Sequence, residues 1–215
     1  MCYGLSAMNK NIILAGLGIV VLLVGLTFLG GCASYNRLVD RSQEVDKQWA
    51  QVQNVYQRRA DLIPNLVATV SGAANFEKST LTEITSARAS VGQLKVDRNS
   101  APTDPAALEQ FQKAQGALSS ALSRLLVVVE RYPDLKATAN FRDLQAQLEG
   151  TENRITVERQ RFNEVVQKYN VATKQVPDLF LARMFGFQAK PYFTAKEGAE
   201  TPPQVQFDFG KPAGK

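Results

Sequence analysis

From Tyr35 onward, apolar residues recur at alternating spacings of three and four. Tyr35, Leu38, Val45, Trp49, Val52, Tyr56, Ile63, Leu66 and Val70 fall on one helical stripe, together with Ser42, Arg59 and Ala73. The stripe runs on through Glu77, Thr80, Ile84, Ala87, Val91 and Leu94. This predicts one helix of about sixty residues, or two joined at a kink at Pro64, with Gly72 and Gly92 as weak points. The polar, proline-bearing stretch from Asp97 to Pro105 follows as a loop. A second helix then starts with Asp104 as its cap and Pro105 in the first turn. Its stripe is Leu108, Phe111, Gln115, Leu118, Leu122, Leu125, Val129 and Tyr132, and Pro133 ends it. A third follows at once, capped by Asp134, with Leu135, Phe141, Leu144, Leu148, Ile155, Phe162, Val166 and Tyr169 on its stripe and Pro177 as its stop. Leu179–Phe187 reads as one or two helical turns, either docked on the bundle, the favoured reading, or in contact with lipid. Residues 188–215 have no period and read as an extended, flexible tail.

Short turns between long amphipathic helices favour antiparallel neighbours. The predicted fold is all-α: an elongated up–down bundle of three to four long helices over residues 33–187, with coiled-coil-like heptad spacing and crossing angles near about +20°. No strand pattern is present.

The first 32 residues change the setting. Ile12 to Leu29 is a run of eighteen residues without a charge. At about 1.5 Å per residue it reaches roughly 27 Å, close to a bilayer core. Leu29-Gly30-Gly31-Cys32 has the order of a bacterial lipobox, in which small residues fit a signal-peptidase groove and the cysteine thiol takes diacylglycerol. The segment is therefore either a cleaved signal peptide that leaves lipidated Cys32 at the N-terminus, or an uncleaved transmembrane helix. Ala33 after the cysteine is the pattern sorted to an outer membrane, with the bundle facing the periplasm. Met8-Asn9-Lys10-Asn11 makes a more typical start than Met1, which would leave Cys2 outside the mature chain.

Composition narrows the chemistry. Histidine is absent, which removes the commonest general base and metal ligand. The two cysteines, Cys2 and Cys32, both belong to the N-terminal segment, so the body carries no thiol nucleophile and no thiolate metal site. No calcium-loop pattern and no glycine-rich phosphate turn occurs. The net charge of +5 is spread along the chain, with no basic–aromatic alternation, so nucleic acid is not an expected partner. No cofactor, metal or catalytic residue is expected.

The candidate site residues are polar ones set where apolar ones belong. Arg59 occupies the stripe of the first helix; Glu152 and Arg159 do so on the third. In an antiparallel bundle these layers meet, and Arg59 would take a carboxylate from Glu149, Glu152 or Glu158. Arg58, Asp61, Pro64 and Asn65 crowd the same stretch, with Asp61 and Asn65 placed to satisfy groups that Pro64 disturbs. Asn153 lies beside Glu152. Two readings follow: an ionic layer that fixes the register of the bundle, or a polar pocket that binds a ligand or works as a weak hydrolase through Arg59, Asp61 and Glu152.

Residues across nearly the whole chain after the hydrophobic segment resemble the LemA family of bacterial envelope proteins. They include Tyr35-Asn36-Arg37-Leu38-Val39, Tyr56 to Val67, Leu125 to Ala137, Leu148-Glu149-Gly150-Thr151-Glu152-Asn153-Arg154-Ile155, Phe162-Asn163, Tyr169-Asn170, Phe185-Gly186-Phe187 and Pro191-Tyr192-Phe193. The resemblance implies an N-terminal membrane segment, a helical antiparallel bundle and no established enzymatic activity. It points to other envelope proteins as partners, membrane-bound proteases among them. Relatives of this kind usually look transmembrane, so the lipobox at Cys32 is a departure in anchoring. The expectation is a non-enzymatic, membrane-anchored scaffold of the cell envelope.

Overall fold

The computed structural model describes residues 3–73, 76–94, 97 and 100–194. Cys2 and residues 195–215 of the expected tail lie outside them. The chain is all-α, with no strand among the described residues. Helix α1 spans Tyr3–Ser71, α2 Lys78–Gly92, α3 Pro105–Val129, α4 Pro133–Lys136, α5 Ala139–Ala172 and α6 Asp178–Phe185. At about 1.5 Å per residue, α1 is roughly 100 Å long. Its lower part, from Leu14, is exposed and apolar; its upper part, from Ser34, is the central helix of the bundle.

The stripe divides into two helices beyond Gly72, one of the expected weak points, rather than at Pro64. Helix α1 passes through Pro64 without interruption and ends at Ser71, next to Gly72. Proline lacks the N–H that would bond the carbonyl of Ala60. Arg88 of α2 supplies that bond instead, its Nε donating to the Ala60 oxygen at 3.1 Å. Asp61 and Asn65 do not have this role: Asp61 accepts from Gln57 at 2.7 Å, and the Asn65 carbonyl accepts from Thr69 Oγ1 at 2.8 Å.

Cap chemistry sets the starts of α3 and α5 and the end of α6. Asp104 accepts from the Ala106 N–H at 3.0 Å with Pro105 in the first turn, as its sequence predicts. The cap of α5 is Thr138, whose Oγ1 accepts from the Phe141 N–H at 3.3 Å, rather than Asp134. Asp134 lies instead in the first turn of the short α4. Helix α6 ends on Gly186, whose φ of 75° lets the Phe187 N–H reach back to the Ala182 carbonyl at 2.9 Å.

Side-chain pairs fix the directions. Gln48 with Glu158, Trp49 with Phe162 and Arg59 with Glu152 make α1 and α5 antiparallel. Glu77 with Arg131 and Glu83 with Arg124 make α2 and α3 antiparallel. Trp49 and Tyr56 against Phe111, then Arg59 against Gln115 and Ser119, run α1 and α3 in the same direction. The result is an up–down four-helix bundle.

Two main core clusters share it. The upper one is mostly aliphatic and includes Leu62, Ile63, Leu66, Val70, Ile84, Leu118, Leu125 and Leu148. The lower one is aromatic and includes Trp49, Tyr56, Phe111, Phe162, Tyr169 and Phe193. Phe193 belongs to the stretch expected to be a free tail. Residues 188–194 are extended, as the sequence suggests, but they form a strap laid along α5.

Candidate functional site

Arg59 sits between the two cores with only 1% of its surface exposed. Its NH1 donates to Glu152 Oε1 at 2.5 Å and to Ser119 Oγ at 2.7 Å. NH2 donates to the Gln115 carbonyl at 3.2 Å and to the Gln115 side-chain oxygen. The guanidinium also lies over the Tyr56 ring, 5.1 Å from its centroid. Its Nε is buried and has no partner among the described residues. One buried cation thus ties α1 to α3 and α5 in a single polar layer. Of the three carboxylates expected as candidates, Glu152 is the partner; Glu158 binds Gln48 and Arg161, and Glu149 accepts from Gln145.

Glu152 is 44% exposed, because this layer opens on one side into a groove between α3 and α5. The groove has a volume of about 1290 Å³. Tyr56 and Arg59 form its floor; Gln112, Gln115, Ser119 and Leu122 line one wall, and Leu148, Glu149, Glu152, Asn153, Ile155 and Arg159 the other. Pro191, Tyr192 and Thr194 of the strap close one end. The structure therefore brings Arg59, Glu149, Glu152, Asn153 and Arg159 to one groove. Arg58, Asp61, Pro64 and Asn65 are exposed on α1 and do not line it. The cluster of Arg59, Asp61 and Glu152 is thus not assembled. Among the described residues no group of His, Cys, Asp and Glu is placed to hold a metal ion.

Burial pushes the Tyr56 phenol above its usual range, against the pull of Arg159 and Arg59. The Tyr169 phenol is raised the same way, with Asp46 adding to the effect. Both rings are held as neutral hydroxyls at the edge of charged layers.

Besides Arg159, the strap is held by residues for which the sequence suggests no role. Asn170 and Asn163 each make a paired contact with strap backbone. Asn170 donates to the Lys190 carbonyl at 2.8 Å and accepts from the Lys190 N–H at 2.9 Å. Asn163 does the same with Phe193, at 2.9 and 2.8 Å. Two helical turns between the asparagines rise roughly 10.5 Å, and three extended residues from Lys190 to Phe193 span roughly 10 Å, so the two ladders match. Lys190 also pairs with Asp46 at 2.6 Å, and Arg159 stacks on Phe193 and donates to the Thr194 carbonyl at 2.9 Å. Arg159 is therefore a clamp on the strap as well as a wall of the groove.

A bundle built on a helix that is bare and apolar from Leu14 to Leu26 is the architecture of a membrane-associated helical protein; that helix is long and apolar enough to cross a bilayer. The LemA family model matches residues 48–207, and the chain belongs to this family. It is 28% identical over 187 residues to magnetosome protein MamQ 2 of Paramagnetospirillum magneticum, covering 78% of this chain and 67% of that protein. Magnetosome protein MamQ of Magnetospirillum gryphiswaldense is 27% identical over 193 residues, covering 80% and 70%. Protein LemA of Metamycoplasma hominis is 24% identical over 151 residues, covering 70% and 64%.

Proposed function

We propose that the protein is a non-enzymatic, membrane-anchored scaffold of the cell envelope that holds another envelope protein in the groove between α3 and α5. The groove carries this reading. It is wide, lined by a mixture of aliphatic, neutral polar and charged side chains of both signs, and its buried arginine is already committed to Glu152, Gln115 and Ser119. Such a floor offers contact area and hydrogen bonds; the groove has no imidazole or thiolate, and its carboxylate nearest the floor, Glu152, is engaged by Arg59. A photo-crosslinking residue at Asn153, with a control at Thr82 on α2, tests it in intact cells. A covalent adduct with one envelope protein, a membrane protease among the candidates, is expected at position 153 and not at 82. Equal labelling at both positions would sink it.

The anchoring reading goes with it: cleavage before Cys32, acylation of that residue, and display of the bundle from an outer membrane into the periplasm. The support is the order Leu29-Gly30-Gly31-Cys32 and the exposure of Cys32 on α1. The intact mass of the membrane-extracted chain decides it. A mass starting at Cys32 with acyl chains is expected; retention of residues 8–31 without them would make the chain a transmembrane protein.

A further inference from the structure

Helix α6 has two different faces. Ala182 is buried, and Leu181 and Phe187 pack with it on Leu38 of α1 and Ala172 of α5. Asp178 is buried too, gripped by Arg37, whose Nε and NH2 reach it at 3.1 and 2.6 Å. The other face is bare: Phe180 is 67% and Met184 68% exposed, and Phe185 is 55% exposed. Phe180 and Met184 are four residues apart and so share one side of the helix. Val176, just before α6, is exposed as well.

The position of this face is set by α1. The Tyr35 ring packs edge-on against Phe185, with centroids 4.8 Å apart, and against Phe187 at 5.9 Å. Tyr35 follows the end of the apolar run at Leu29 by six residues of unbroken helix, roughly 9 Å. It follows Cys32 by three residues, roughly 4.5 Å. Whether the anchor is the apolar helix or an acyl chain on Cys32, these short rises put α6 within a headgroup layer's thickness of it along α1. The one acid of α6, Asp178, is paired with Arg37, whereas Arg183 of α6 and Lys174, four residues before that helix, are exposed.

We propose that the Phe180–Met184 face of α6 is a second membrane contact, seated in the bilayer interface next to the anchor, with Lys174 and Arg183 among anionic headgroups. An apolar face flanked by basic residues is the pattern of helices that lie in the interface plane, and a tyrosine at that depth suits the aromatic belt. The contact holds the bundle at a fixed orientation, which a single anchoring helix does not. It rests on the membrane association described above.

The test uses the full chain carrying Phe180→Trp, reconstituted in vesicles of phosphatidylcholine with a minority of phosphatidylglycerol, with and without bromine on the acyl chains. Trp49 is buried in the bundle, and its emission is subtracted using the unsubstituted chain. Emission from position 180 should be roughly halved by brominated lipid, as for a ring at interfacial depth, while Thr82→Trp at the far end of the bundle is unaffected. Vesicle co-sedimentation reads the anchor separately. A chain that sediments but shows no more quenching at 180 than at 82 overturns the α6 contact alone. Crosslinked dimers through this face in the sedimented sample would assign it to a second copy instead and overturn the proposal likewise. A chain that fails to sediment takes down both the contact and the anchoring on which it rests.

Discussion

The two halves of the bundle are held together in different ways. Above Arg59, α2 and α3 close over α1 with a mostly aliphatic core, and exposed ion pairs such as Glu77–Arg131 lie outside it. Below Arg59, the core is aromatic, and it is completed by the strap rather than by a helix. Trp49 stands against Phe111, Phe162 and Phe193 with ring centroids 5.3, 5.6 and 6.0 Å apart, and its Nε1 donates to the Asp97 carbonyl at 3.1 Å. The upper half asks only for apolar side chains of suitable volume. The lower half needs named polar partners: Asn163 and Asn170 for the strap backbone, Asp46 for Lys190, the Asp97 carbonyl for Trp49. One half follows a periodic pattern; the other depends on particular contacts between distant segments.

The largest expected effect separates the halves. Trp49→Ala removes the ring around which the aromatic cluster is built and should cost about 3–5 kcal/mol. It should also free the strap, so limited proteolysis will cut within residues 188–194 while α2 and α3 keep their amide protection. Leu66→Ala in the upper core, at about 2–5 kcal/mol, should leave the strap resistant at temperatures below the unfolding midpoint. Equal strap cleavage in both variants would remove the distinction.

The junction between the halves gives a smaller, asymmetric effect. Glu152→Ala strands a buried cation, and losing one partner of a buried pair costs about 3–5 kcal/mol. The open groove lets water reach the site, which places this variant toward the lower value. Arg59→Met leaves behind Glu152, which can turn to solvent, and Gln115, whose buried amide oxygen loses its donor, a loss of about 1–3 kcal/mol. Denaturant unfolding should therefore rank Glu152→Ala below Arg59→Met in stability. The reverse order would mean that Arg59 serves the groove rather than the register of the helices.

The same contrast explains what was legible in the sequence. The up–down bundle and the cap at Asp104 are legible because each is local or periodic. Arg59 stands out because a charge on an apolar stripe needs a partner, and Gln115 is a polar residue on the facing stripe. Ser119 gave no such signal: it lies off the stripe of its helix and meets Arg59 only through the crossing of α1 and α3. The strap was read as free because an extended segment has no period, although Asn163 and Asn170, one heptad apart, are its ladder. The stripe leaves open whether α1 continues at Pro64 for a similar reason, since the compensating donor, Arg88, arrives from another helix.

The smallest effect lies at high pH, and it belongs to the lower half. The Tyr56 and Tyr169 phenols are both raised, first by burial. An unfolded tyrosine ionises near about pH 10. A phenol held neutral in the fold therefore contributes stability that is fully present below that pH. The contribution is lost as pH rises from there through the folded value. The slope per phenol is at most about 1.4 kcal/mol per pH unit. Aliphatic packing above Arg59 has no such term, so alkali should release the strap and the aromatic core before the α2–α3 pair. Tyr56→Phe, which keeps the ring against Phe111, should flatten the fall in stability above about pH 10 and leave neutral-pH stability nearly unchanged. Urea midpoints for both chains across that range measure it. Curves that superimpose would show that Tyr56 ionises as freely in the bundle as out of it, and that the lower core is open to water at its polar edge.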